Sequence, residues 1–246
     1  MTILTDEQHG TPWQPLLDEL AEQRATLDLM TAAWAGEYRG AGGRLFCTAG
    51  CRSCCSLAVN CTLTEAVDLA AILTTEQAGA VAGYVQRLRD LTIPLTDLKS
   101  YLRMQRSEMG WCPLLGDDGC CMVYPLRPLS CRALLSTKEP HWCGADFGTL
   151  PPEEKQAFVA SLDRSVVAFP LHYAAFTQDS GRELEERLLV RMREQFGIAL
   201  YGNLPVLLHL VLAWRIQEIL SAGPSAVEEL LSRAGLDHPF LVERLS

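Results

Sequence analysis

The chain has 246 residues, 48% of them hydrophobic and 21% charged, a balance that belongs to a folded globular protein and excludes disordered and collagen-like chains. Its 21 Lys and Arg face 30 Asp and Glu, so the formal charge is −9 and no broad basic surface is offered to a phosphate backbone; nucleic acid is not an expected partner. Ten cysteines, with two acids and no apolar run in the opening MTILTDEQHG, point to a cytoplasmic, reducing setting in which thiols serve metal or redox chemistry rather than disulfides.

The segment TPWQPLLDELAEQRATLDLMTAAW spaces Leu16, Leu20, Leu27 and Met30 at helical period, and the glycines around Gly42 end that helix. Five cysteines then fall between positions 47 and 61, beginning with Cys47, Cys51, Cys54 and Cys55 in a C-x3-C-x2-C-C spacing. Thr62 and Glu65 stand in capping-box spacing and open an Ala- and Leu-rich insert over 62–109, read as two helices joined near Thr74 and then a third that ends at Gly110. Residues 111–146 hold the other five cysteines among Gly, Pro and Asp, and read as loops and turns that need a metal centre to hold them.

Beyond Leu150 the pattern is helical again. Pro152 opens one helix, Ser180 with Glu183 caps a second, and Asn203 with Pro205 opens a third that runs through Arg215 to about Leu220. That third helix is apolar almost all round, which places it in the centre of the core. It is too short and too interrupted to span a bilayer, so no membrane partner is expected. Ser225 with Glu228 caps the last helix, which ends near Gly235. The expected fold is mainly α, with helices packed around a loop-rich, metal-bound cysteine core at about 46–146, a helical C-terminal part over 150–246, and one domain over 1–246.

Thiolates are soft donors that select zinc, copper(I) or iron–sulfur clusters. Four cysteines within nine residues are best accounted for by metal, although neighbouring side chains diverge, so Cys54 and Cys55 are not expected to share one ion. A vicinal disulfide or redox switch at that pair is the alternative. The second block reads Trp111-Cys112-Pro113, Cys120-Cys121-Met122-Val123-Tyr124, Arg127-Pro128 and Cys131-Arg132, followed by Cys143-Gly144.

In these blocks the chain resembles the cysteine-cluster family known by its CxxCxxCC signature, also called YkgJ-type and described as zinc- or iron-chelating. The resemblance covers about residues 46–146. It implies Cys47, Cys51, Cys54, Cys55, Cys112, Cys121, Cys131 and Cys143 as metal ligands and leaves Cys61 and Cys120 over. Cys120 is an alternative to Cys121, and the first gap is one residue longer than the family's.

Closely spaced cysteines joined by distant single ones look more like iron–sulfur ligation than like paired zinc knuckles. Similarity of family members to flagellin lysine methylase implies the same, and with it a redox, electron-transfer or methyl-transfer role. The alternative is a zinc-stabilised module, without catalysis, that presents its helical part to a protein partner. Cys47, Cys51 and Cys54 also coincide with the radical S-adenosylmethionine spacing, but Ser53 occupies the usual aromatic position and alternating strands and helices are absent.

Arg127 and Arg132 are cofactor-side candidates, since four thiolates around Zn²⁺ or a [4Fe-4S]²⁺ cluster carry net negative charge that a guanidinium offsets. The competing reading is that Arg127 orders its loop by bonding backbone carbonyls. Among the histidines, His141 is the better metal candidate, His209 reads as a core residue and His172 has no partner visible in the sequence. No catalytic residue can be named, and whether the chain is an enzyme is left open.

Overall fold

The computed structural model describes residues 12–246; residues 1–11, including the opening decapeptide read for a leader, lie outside the described residues. The described chain is mainly α, with eleven α-helices and three short strands. Helix α1 (Gln14–Gly40) buries Leu16, Leu20 and Leu27 as their spacing predicts, while Met30 stays more than a third exposed. The same face buries Arg24, which pairs with Asp68 and donates to the Leu126 carbonyl at 3.0 Å.

Strand β1 (Asn60–Thr62) leads into α2 (Leu63–Ala70), and α3 (Thr75–Thr92) follows. Both helices open with the capping boxes written into their sequences, Thr62 with Glu65 and Thr74 with Gln77. Glu65 does more than cap. One carboxylate oxygen accepts from the Thr62 N–H at 2.7 Å and the Thr62 hydroxyl at 2.9 Å, and the other accepts from the Leu129 N–H at 2.7 Å. Leu129 begins the short helix α5 (Leu129–Ala133), so one fully buried carboxylate caps two helices. Between them lie α4 (Leu98–Met104) and a π turn that ends at Gly110. Two short helices, α5 and α6 (Pro140–Gly144), sit in the loop-rich stretch, and α7 (Pro152–Ala160) follows.

Helix α8 (Ala175–Phe196) starts five residues before Ser180, which corrects the capping reading of Ser180 and Glu183. Bridges pairing Ser136 with Tyr173 and Val167 with Ala174 deliver the chain extended to Ala175. Ser180 and Gly181 are instead small residues at a close crossing, where a Cβ on Gly181 would stand 2.7 Å from the Ala133 Cβ. Thr177 fixes that crossing by donating to the Ala133 carbonyl at 2.7 Å.

Strand β2 (Ala199–Asn203) pairs antiparallel with β1 on one side and with β3 (Val242–Leu245) on the other, with Cys61 opposite Gly202. Helix α9 (Leu204–Trp214) is capped by the Asn203 side chain, which accepts from Val206 N–H, and lies buried against α2 and α3. It stops at Arg215, which takes the left-handed conformation at φ 51°, so α10 (Ile216–Ile219) is a separate helix. Helix α9 and the residues after it are bent by 75°, and among the described residues no single helix is long and apolar enough to cross a membrane. The last helix, α11 (Pro224–Ala234), begins without a side-chain cap. Pro224 presets the first helical φ, which moves Ser225 inside the helix and overturns its capping role.

The main core gathers α2, α3, α4, α9, α11 and the sheet, and a smaller cluster of Leu20, Leu27, Leu129, Leu184 and Leu188 joins α1, α5 and α8. Two consequences are measurable. A Cβ at Gly202 would lie 2.3 Å from the Leu241 backbone oxygen, which cannot swing away. Gly202→Ala is therefore expected to lower unfolding free energy in urea by at least about 2 kcal/mol.

The second concerns Glu185 on α8, whose carboxylate is buried, repelled by Glu65, and bonded to the Tyr201 hydroxyl at 3.3 Å. Burial first, and Glu65 second, raise its pKa well above the ordinary Glu value. The folded state thus favours the protonated acid, and this contribution to stability is full below the ordinary Glu pKa and is lost as pH climbs through the raised one. Urea titrations at about pH 5 and about pH 8 should show Glu185→Gln gaining on the wild type at the higher pH.

Candidate metal centre

The first cysteine segment is shaped by backbone turns. The Cys51 N–H donates to the Thr48 carbonyl at 3.1 Å across Gly50, whose φ of 77° needs glycine. A single 3-10 turn over Ser53–Ser56 then carries Cys54 and Cys55. The Cys112 N–H donates to the Cys55 carbonyl at 2.8 Å, tying the second segment to the first. Arg52 adds a second tie, its guanidinium 4.9 Å from the centre of the Trp111 ring. Within the second segment, the Gly116 N–H bonds the Cys120 carbonyl at 2.8 Å and the Met122 N–H bonds the Leu114 carbonyl at 3.0 Å, forming a tight hairpin. At its tip Gly119 has φ 78°, and a Cβ there would press to 3.4 Å from the Gly50 oxygen.

These loops enclose a cavity of about 520 Å³, lined by Cys51, Cys54, Cys55, Cys112, Cys120, Cys121 and Cys131. Leu57, Val59, Leu114, Val123 and Leu204 give it apolar walls, with Arg127 and Tyr201 among its few polar groups. Six of the eight cysteines singled out from the sequence meet here. Cys120 joins them at the exposed rim, while Cys121 is half-buried. Cys61, left over from the pattern, is fully buried in the main core on β1 and does not line the cavity. All ten cysteines are free.

Cys54 and Cys55 share the 3-10 turn, and the neighbouring Cys55 thiol is the first cause that raises the Cys54 pKa. Cys47 and Cys143 stand outside the cavity lining, on the side of Cys51 and Cys54, and Coulombic repulsion links all four. Cys47 accepts from the Ser136 N–H at 3.2 Å. Cys143 on α6 lies 3.3 Å from His172 Nε2, the contact that the sequence leaves invisible because 29 residues separate the pair. His172 is buried and its pKa falls to about 4, chiefly through burial, so it is neutral at pH 7 as a metal ligand must be. His141, the candidate favoured by sequence, is exposed beside Trp142, and His209 is half-exposed in a separate pocket with Arg89.

Burial raises the thiol pKa values of Cys112, to about 11, and of Cys131, well above the ordinary value; Cys54 is raised by its bond to Cys55 and by burial. Two backbone amides act the other way. The N–H of Leu114 serves Cys112 and that of Val123 serves Cys121, each two residues after its cysteine and each favouring the thiolate. Arg127 lowers the thiol pKa values of Cys54, Cys121 and Cys131 by its charge, and its guanidinium stacks 4.2 Å from the Tyr124 ring. Arg132 is the loop-ordering arginine: it bonds the Arg127 and Pro125 carbonyls and pairs with Asp28 of α1 at 2.6 Å.

The donor set suits a soft metal. Among the described residues, however, no three His, Cys, Asp or Glu side chains already stand at the spacing that grips one ion. The thiols line walls instead of converging on a point.

Residues 46–149 match the CxxCxxCC family model, described as a putative zinc- or iron-chelating domain. The cysteine-bearing middle of the chain thus matches the model of the family its motifs resemble, and metal binding is the property this match supports. The match covers less than half of the chain and leaves out α1 and everything from α7 onward. No curated protein and no solved structure matches it.

Because buried thiols hold their protons at neutral pH, loading must expel them. Calorimetry in two buffers of unlike ionisation enthalpy should report proton release. Competition with a chelator should show affinity falling as pH drops from about 8 to about 6, tenfold per pH unit for each proton displaced. A pH-independent affinity would contradict thiolate ligation.

Proposed function

We propose that this chain carries an iron–sulfur cluster, such as [4Fe-4S], in the cysteine cavity and uses it in electron transfer or in a redox or methyl-transfer reaction. The observation that carries this reading is the spread of thiols along the walls of a chamber of about 520 Å³. A water molecule occupies ~30 Å³ of liquid, and a bare ion needs no more, so the chamber suits a larger inorganic group. When bound, a cluster supplies one-electron chemistry at a potential set by net charge, hydrogen bonds to sulfur and solvent exposure.

The chain's own residues bear on all three. Arg127 offsets thiolate charge, the amides of Leu114 and Val123 reach sulfur, and the leucine and valine walls make the surroundings of the sulfurs apolar. The proposed ligands come from Cys51, Cys54, Cys55, Cys112, Cys121 and Cys131 in the chamber, of which a [4Fe-4S] cluster takes four. Beside them Cys143 and neutral His172 form a sulfur and nitrogen group 3.3 Å apart, with Cys47 linked to Cys143 by charge alone. That group favours the second reading, a zinc-stabilised module without catalysis that presents its helices to a protein partner.

Purification without oxygen tests the choice. The first reading predicts a brown protein containing iron and acid-labile sulfide in equal amounts. It predicts that Cys131→Ser loses both, whereas Cys61→Ser keeps both at some cost in stability. A colourless protein with stoichiometric zinc and no sulfide would establish the second.

A further inference from the structure

A second cavity, of about 400 Å³, lies on the other side of Arg127, between α1 and the 124–135 segment. Three guanidinium groups line it, from Arg39, Arg127 and Arg132, against the single carboxylate of Asp28. Asp28 is spent on Arg132 at 2.6 Å, and the other nitrogens of Arg132 go to backbone carbonyls. Arg39 and Arg127 have no carboxylate at ion-pair distance among the described residues. Two polar atoms of lining residues, Arg127 Nε and Thr31 Oγ1, are buried with no hydrogen-bond partner.

Native structures rarely leave buried donors unpaired, and a pocket with two excess positive charges in a chain of net charge −9 is a local exception that asks for a ligand. Neutralising the thiolates does not account for it. Arg39 lines this cavity and not the cysteine chamber.

We propose that this cavity binds a small organic oxyanion, a carboxylate or a phosphate ester, through the guanidinium groups of Arg39 and Arg127, beside Thr31. The Tyr124 ring holds the Arg127 guanidinium in one plane, which suits fork-like recognition of two oxygens. The rest of the wall is apolar, from Ala32, Ala35, Leu45 and Leu135, so the anion has an apolar body. Cys47 opens on the same space, and Arg127 and Tyr124 line both cavities, which sets the bound anion beside the metal centre. The proposal is independent of which metal the centre holds.

Titration calorimetry of the protein as purified, in chloride at matched ionic strength, tests it with benzoate, phenyl phosphate and inorganic phosphate. One of the two aromatic anions should bind saturably at one site per chain, and the tighter of them identifies the class of anion. Arg39→Gln should weaken it about tenfold and Thr31→Val about threefold, with metal content unchanged in both. Arg39 is exposed, so that variant tests the site even if Thr31→Val folds poorly. No binding above the chloride control, unchanged affinity in Arg39→Gln, or inorganic phosphate binding as tightly as phenyl phosphate would overturn the proposal. Loss of metal with retained anion binding would instead count against the ligand assignment.

Discussion

The carboxylate of Glu65 sits with no exposed surface where three parts of the chain meet, and it receives three hydrogen bonds from two helix starts. A buried charge is tolerable only when its oxygens are satisfied, and here the donors are the Thr62 N–H and hydroxyl and the Leu129 N–H. The consequence is architectural. Helix α5, which carries Cys131 and Arg132, is pinned to the N-terminus of α2 and thereby to the main core. Burial raises the Glu65 pKa above the ordinary Glu value, the bonds from Leu129 and Thr62 and the charge of buried Arg24 oppose that rise, and through Asp68 and the Leu126 carbonyl Arg24 ties α1 to the same place. Five residues of helix would have no independent stability. Its position comes from Glu65 at one end and from Thr177 and the Gly181 crossing at the other.

With α5 held, the cysteine loops have a rigid wall to fold against. The loops themselves are joined by a few backbone bonds, two glycines with positive φ and one cation–π contact, and hold only short turns and a small hairpin. Thiols raised by burial make a poor adhesive for such loops. As thiolates on a metal they would close them, which couples loading to the order of this segment more than to the stability of the large apolar core behind it. Arg132 and Arg127 divide the two tasks the sequence left undecided between them: Arg132 orders the loop, and Arg127 faces the sulfurs.

Much of this was legible in the amino-acid pattern where the cause is local. The capping box of α2, the helix join near Thr74, the Asn203 cap and the Gly235 stop all depend on residues within one turn. The cysteine pattern named six of the seven cysteines that line the chamber. Misreadings came from longer range. Ser180 looks like a cap until α5 is seen crossing it, and Arg215 lies within an apolar run whose periodicity gives no warning of a left-handed residue. Met30 keeps the helical period but faces away from the core. His172 gave no signal, because its partner Cys143 is brought to it by the packing of α6 and a bridge at Tyr173. The second role of Glu65, toward Leu129, was equally hidden, 64 residues away in sequence.

The central claim is that the cavity thiols together hold an iron–sulfur group. X-ray absorption at the iron and zinc edges of protein purified without oxygen addresses it most directly. The account predicts an iron signal whose nearest neighbours are sulfur alone, with a second iron in the next shell. An iron site ringed by oxygen or nitrogen, or absorption at the zinc edge only, would contradict it.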